Sequence, residues 1–170
     1  MLILIMGVTG SGKTTVGKLL AQRLKFVFLD ADDFHSAANR EKMHRGIPLS
    51  DVDRAPWLAA IHDELVGANG AGKNVVLACS ALRQEYRNIL AAGLNLTIVF
   101  LRGRVEQLQR NLATRKDHFA GESLVPSQLA TLEEPTGVII EDIAAKPEEI
   151  VEDVCSRLKM PDAGKNSAAK

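Results

Sequence analysis

The stretch Gly7-Val8-Thr9-Gly10-Ser11-Gly12-Lys13-Thr14 decides how the rest of the chain reads. It follows the apolar run Leu2-Ile3-Leu4-Ile5-Met6 and precedes a segment, Val16 to Leu24, whose apolar residues recur at helical spacing. Strand, glycine loop and helix in that order is the context in which G-x-x-x-x-G-K-[ST] acquires a physical meaning. The glycines let the backbone curl so that successive N–H groups point inward at an anion. The helix that follows adds its unpaired N–H groups and the positive end of its dipole. Gly7, Val8, Thr9, Gly10, Ser11, Gly12, Lys13, Thr14 and Thr15 are therefore the expected cradle of a nucleoside triphosphate such as ATP. Lys13 should reach the outer phosphates, and the Thr14 hydroxyl offers a ligand to Mg²⁺.

Working outward, the 170-residue chain is long enough for one domain with a sizeable core, expected over residues 1–160. Apolar residues make up 46%, charged residues 25%, and the formal net charge is zero. A nucleic-acid binder usually carries a basic surplus to meet phosphates, so that class is excluded. Two cysteines, Cys79 and Cys155, are too few for a disulfide framework. The apolar start is too short for a signal peptide or a membrane span, so no membrane partner and a cytoplasmic location are expected.

After the loop, short apolar runs alternate with helical segments, which predicts a parallel sheet covered on both faces. Strands are expected at Leu2–Met6, Phe26–Leu29, Val75–Cys79, Leu96–Leu101 and Gly137–Ile140. Helices are expected at Val16–Leu24, Ser36–Met43, from Pro56 to about Val66 with a turn over Gly67–Gly72, and at Leu82–Ala91. Two more are marked by Val105, Leu108 and Leu112, and by Ile150, Val151, Val154, Cys155 and Leu158. Residues from about 115 to 126 lack a core face and begin with Arg115 and Lys116, so they read as a lid. The end, from Pro161, reads as a disordered tail.

Asp30, Asp32 and Asp33 lie at the carboxyl end of the second strand, the side on which open α/β sheets bind ligands. A carboxylate there can orient Mg²⁺ or accept a proton from an attacking hydroxyl, although an acid after a strand also serves as a helix cap. Switch-type and motor nucleotidases place their acid at a later strand. Here the third strand ends Cys79-Ser80 and the fourth Leu101-Arg102-Gly103, and the chain contains no D-x-x-G or N-K-x-D string. An acid on the strand directly after the glycine-loop helix is the arrangement of small-metabolite kinases.

Beyond the loop, the chain carries Leu29-Asp30-Ala31-Asp32-Asp33-Phe34-His35, Asn39-Arg40-Glu41-Lys42-Met43 and Gly46-Ile47-Pro48-Leu49. It continues with Asp51-Val52-Asp53-Arg54-Ala55-Pro56-Trp57-Leu58, then Cys79-Ser80-Ala81-Leu82-Arg83 with Tyr86 and Arg87. Arg115-Lys116-Asp117-His118-Phe119, Leu124-Val125-Pro126-Ser127-Gln128 and Leu132-Glu133-Glu134-Pro135 complete the set. Over residues 2 to 158 these stretches resemble the gluconate kinases of the P-loop type. The departures are Asn111, with Arg110 beside it, where the family often has an arginine, and Asp33-Phe34 where many relatives have two apolar residues.

The resemblance implies an α/β, three-layer P-loop NTPase fold with a five-stranded parallel sheet in the order 2-3-1-4-5 and a lid. It implies ATP-dependent phosphorylation of gluconate on its 6-hydroxyl, with Mg²⁺, in an enzyme whose similar kinases are often homodimers. Asp32 is the expected base, Asp30 supports Mg²⁺ or Asp32, and Lys13, Arg115 and Lys116 neutralise developing phosphate charge. Arg110 and Lys146, the latter in the loop after the fifth strand, are expected beside the nucleotide. Gluconate is an acid with a chain of hydroxyls, so its pocket needs a cation and hydrogen-bonding partners. Arg54, Arg83 and Arg87 are the candidate cations, with Asp32, His35 and His118 toward the substrate. Alternative readings are a solvated i, i+4 face for Arg83 and Arg87, a helix cap for His35 and a core position for Trp57. Rival functions are another small-metabolite kinase such as shikimate kinase, or a nucleotide-gated binding protein.

Overall fold

Leu2–Met6 forms β1, and every one of its five residues is buried. A strand with no polar face has to be covered on both sides, and that requirement sets the architecture. The computed structural model describes residues 1–113 and 124–158. In it, β2 (Val27–Asp30), β3 (Val75–Ala78), β4 (Leu96–Arg102) and β5 (Ile139–Asp142) join β1 in a parallel sheet of order β2-β3-β1-β4-β5. This is the order that the resemblance implies.

Side chains alternate across β1, so its residues divide between two cores. Leu2, Leu4 and Met6 pack with Trp57, Leu58, Ile61 and Leu65 of α3 (Asp51–Gly70) and with Tyr86 and Leu90 of α4 (Gln84–Ala91). Ile3 and Ile5 pack on the other face with Val16 and Leu20 of α1 (Lys13–Leu24) and with Ile150, Val151 and Val154 of α7 (Pro147–Arg157). Three layers result. A third cluster joins Val8 of the loop to Leu108 and Leu112 of α5 (Val105–Ala113) and Val125 of α6 (Leu124–Thr131). Among the described residues, no helix is long and apolar enough to cross a membrane.

Several element ends differ from the sequence expectation, each for a local reason. Lys25 ends α1 in the left-handed region (φ 58°) and the Phe26 N–H bonds the Ala21 carbonyl, so β2 starts at Val27 and ends on Asp30. Helix α3 begins at Asp51, not Pro56, because Ser50 and Asp53 form a reciprocal capping box. Pro56 then lies inside the helix near its start, where it removes a single backbone bond. The helix runs on through Gly67 to Gly70, where a turn was expected. Gly137 (φ 69°) makes a turn, so β5 starts at Ile139. Residues 124–126, the expected end of the lid, are the first turn of α6, and Pro126 is tolerated there. Helix α2 (Ala37–His44) is capped by the Ser36 hydroxyl, which accepts from the Asn39 N–H. The rest of the expected lid, with Arg115, Lys116 and His118, and the tail from Pro161 lie outside the described residues.

Candidate active site

The glycine loop closes at the carboxyl end of β1 and hands over to α1 at Gly12. Gly12 is the helix cap at φ 85°, a conformation in which any side chain would be strained. Gly10 (φ 78°) is required by space as well: a Cβ there would stand 2.6 Å from the Leu108 carbonyl oxygen. Helix α5 thus packs directly on the loop, and the Asn111 amide donates to the Gly10 carbonyl at 2.9 Å. From the other side the Gln128 side chain of α6 accepts from the Thr9 N–H at 2.7 Å. Lys13 folds back over the loop, its Nζ donating to the Val8 carbonyl at 3.0 Å. Thr15 is exposed on the first turn of α1.

Asp30 stands beside this loop at the tip of β2. Its Oδ2 accepts the Thr14 hydroxyl at 2.9 Å and its Oδ1 accepts the Asp32 N–H at 3.2 Å. The strand does not extend to Asp32, as a shared strand face would require. Residues Ala31–Phe34 form a single 3₁₀ turn, and Asp30 caps it. Turn geometry, not strand period, therefore brings the two acids together. Asp32 is reachable by solvent, yet protein surrounds it on most sides. Desolvation first, and the Asp30 charge second, raise its pKa above the usual carboxylate value, while Lys13 and His35 oppose the rise. Thr14 Oγ1 and Asp30 Oδ2 form an oxygen donor set of the kind that suits Mg²⁺ arriving with phosphates and water. Among the described residues, no cluster of His, Cys, Asp and Glu could hold a metal by itself.

Trp57 is core and wall at once. Its Nε1 donates to the Ala31 carbonyl at 2.7 Å, and its ring stacks on His35 with centroids 4.5 Å apart. His35 is buried, and burial lowers its pKa, so the neutral imidazole is favoured. The ring does not act as a helix cap, because Ser36 takes that role for α2. One turn before Trp57, Arg54 stands with Arg83 over the Tyr86 ring. The Asp51 carboxylate lies between them, 3.2 Å from an Arg54 Nη1 and 3.0 Å from an Arg83 Nη1. The Tyr86 hydroxyl donates to the same carboxylate at 2.6 Å.

Arg87 does not join that group, and neither is it a solvated helix residue. It is 2% exposed. Its Nη1 donates to the carbonyls of Ala81 (2.9 Å) and Leu82 (3.0 Å), and its Nη2 to the Gln84 side chain (2.9 Å) and the Glu133 carbonyl (2.8 Å). Those bonds clamp the turn after β3, where Ala81 is held at φ 42°. A guanidinium engaged in this way is a structural clamp and is not presented to a substrate. Arg110 is exposed on α5 with its Nε bonded to the Glu106 carbonyl. Lys146 caps α7 through its backbone N–H to Glu149. Cys79 is fully buried, which pushes its thiol up to about 12 and leaves it inert.

Sequence reasoning missed Asn111, Gln128 and Asp51 as site residues. Asn111 was visible only as a departure from a basic position, and Gln128 only as part of a motif without an assigned element.

A family model described as an AAA domain matches residues 2–135. A probable gluconokinase of Mus musculus is 45% identical over 152 residues, covering 79% of this chain and 83% of that protein. A gluconokinase of Gluconobacter oxydans (strain 621H) is 48% identical over 134 residues, covering 78% of this chain and 75% of that one. The crystal structure of a gluconokinase from Sinorhizobium meliloti 1021 superposes with a TM-score of 0.82 at 40% identity, over 92% of each chain. A likeness that spans the glycine loop, the acids at the tip of β2 and the arginine cluster beyond them has one consistent reading: the chain belongs to the gluconokinase family.

Proposed function

We infer that the protein transfers the terminal phosphoryl group of ATP to the 6-hydroxyl of gluconate, giving 6-phosphogluconate and ADP. The observation that carries this reading is the order of neighbouring groups, in which Asp32 feels the charges of Lys13 and His35, and His35 that of Arg54. A phosphate loop with Lys13 and the Thr14–Asp30 pair comes first, then Asp32, then a site with paired arginines. That sequence matches a molecule with a hydroxyl at one end and a carboxylate at the other.

Asp32 is the base. Its raised pKa makes it a better proton acceptor than an ordinary carboxylate, and its backbone is fixed by the Asp30 bond. Phosphoryl transfer is loose, so aligning the hydroxyl matters as much as removing its proton. Lys13 stabilises charge on the transferred group. Mg²⁺, held by Thr14 with Asp30 beside it, would neutralise charge across the outer phosphates. Neutral His35, set by its stack on Trp57, offers hydrogen bonds to a substrate hydroxyl. Arg54 and Arg83 take the carboxylate. Arg110 and Lys146 stay in the proposal at the nucleotide end. Arg115 and His118 stay as residues of a lid that closes over the phosphates and the substrate and excludes water.

The test is coupled ADP release with gluconate, shikimate, glycerate and nucleoside monophosphates in turn. Gluconate should exceed the others by at least about 100-fold in kcat/KM, since a site built to pair polar groups rejects molecules that leave them unpaired. Slow turnover indifferent to gluconate would contradict the reading and favour a nucleotide-gated binding protein.

A further inference from the structure

The arginine pair holds a carboxylate of the protein's own. Asp51 receives Arg54, Arg83 and the Tyr86 hydroxyl at 3.2, 3.0 and 2.6 Å, yet its side chain is 65% exposed. An exposed acid at a helix start needs none of these donors. The start of α3 is secured by the Ser50–Asp53 box, in which the Asp51 side chain has no part. The donors, in turn, are fixed without Asp51. Tyr86 is buried, and both guanidinium groups stand over its ring, 5.8 Å (Arg54) and 5.5 Å (Arg83) from the centroid. Arg83 has a second acid, Glu85, at 3.6 Å. Asp51 is thus the one short, exposed, displaceable member of a preformed carboxylate site.

We propose that Asp51 holds the place of the substrate's carboxylate in the unliganded protein, and that gluconate binds by displacing it from Arg54, Arg83 and Tyr86. The proposal rests on the substrate reading above. With Asp51 and Glu85 in place the two guanidinium groups are fully offset, so an incoming carboxylate gains a cation only by exchanging with Asp51. The exchange swaps one set of charge-assisted hydrogen bonds for an equivalent set, and its cost appears in substrate affinity. An anion without the hydroxyl chain has no other contacts to offset that cost, so the internal carboxylate also acts as a filter against small acids.

The experiment compares wild type with Asp51→Asn, Asp51→Ala and Asp51→Glu in the gluconate assay at saturating ATP and low salt. Displacement predicts that the gluconate KM falls about two- to five-fold in the Asn and Ala variants, the range of an exposed ion pair. The Glu variant should return toward wild type, and acetate should inhibit the Ala variant more strongly than wild type. A KM that rises, or stays the same, in the Asn and Ala variants overturns the proposal, since Asp51 would then organise the arginines or do nothing. Loss of folding in both variants, read by circular dichroism, also overturns it, because the start of α3 would depend on Asp51. Absence of gluconate turnover in wild type is a different result. It overturns the substrate reading itself, and this proposal with it.

Discussion

Replacing Arg87 by Met keeps an unbranched side chain in the space but removes every donor from the turn after β3. The Ala81 carbonyl is buried and loses its charged donor, at roughly 1–3 kcal/mol for an unsatisfied buried acceptor, whereas water can replace the guanidinium at the Glu133 carbonyl of an exposed residue. The Leu82 carbonyl keeps a partner in the Glu133 N–H at 2.9 Å and loses less. Ala81, at φ 42°, is held there only by its surroundings, and relaxation of that strain when the clamp goes offsets part of the loss. Against these losses, burial itself disfavours the charged Arg87, and the Met removes that cost. The balance is a destabilisation of about 2 kcal/mol, a large share of the roughly 5–15 kcal/mol that holds a domain folded. In urea, with a slope of about 2 kcal/mol per M, the midpoint should drop by about 1 M at unchanged slope. The gluconate KM of the variant, measured well below its melting temperature, should stay within about two-fold of wild type. A midpoint shift below about 0.3 M together with a KM raised more than ten-fold would refute this reasoning and return Arg87 to the substrate site.

Lys13→Ala should fold normally by circular dichroism and lose about 10²- to 10³-fold or more in kcat, because the half-buried lysine belongs to no hydrophobic cluster and acts on developing charge. Near-normal turnover would contradict the phosphate assignment. Glu141 on β5 is buried beside Asp153, and burial first and that acid second push its pKa up to about 7. The folded state therefore binds its proton more tightly than the unfolded chain does. The stability that this gives is present below about pH 4.5 and is lost as pH rises through about 7. Glu141→Gln should accordingly raise Tm relative to wild type at pH 8 and show little difference near pH 4.5, a pattern that thermal melts across pH check.

What was legible in the sequence was local. The glycine loop, its strand and its helix are contiguous, so periodicity and motif placed the strand as found and the helix within three residues of its start. The cap of α3 stands in the sequence as Ser50 and Asp53, but the expected start was placed at Pro56 and the box was not read. The carboxyl end of β2 was legible as the place of Asp32, but the 3₁₀ turn that sets its distance from Asp30 was not. Arg87 could not be read at all. Arg83 and Arg87 are one helical turn apart and look alike on paper. One ends in a surface ion pair and the other under Leu82 and Glu133, because α4 packs with that side against the chain running from α6. Burial of a charged side chain is a tertiary property with no signature in its neighbours. Asp51 was likewise invisible as a site residue, since its partners come from α3 itself and from α4, 32 and 35 residues away.

The most direct test is the turnover of Asp32→Asn with gluconate at saturating ATP, measured beside Asp30→Asn. Asparagine keeps the shape and polarity of Asp32 but cannot take a proton. Its kcat should fall about 10²- to 10⁴-fold with the ATP KM little changed. Asp30→Asn should raise the Mg²⁺ requirement more than it lowers kcat at saturating metal, since its carboxylate faces Thr14. An Asp32→Asn enzyme within a few-fold of wild type, alongside an inactive Asp30→Asn enzyme, would contradict the account and reverse the two roles.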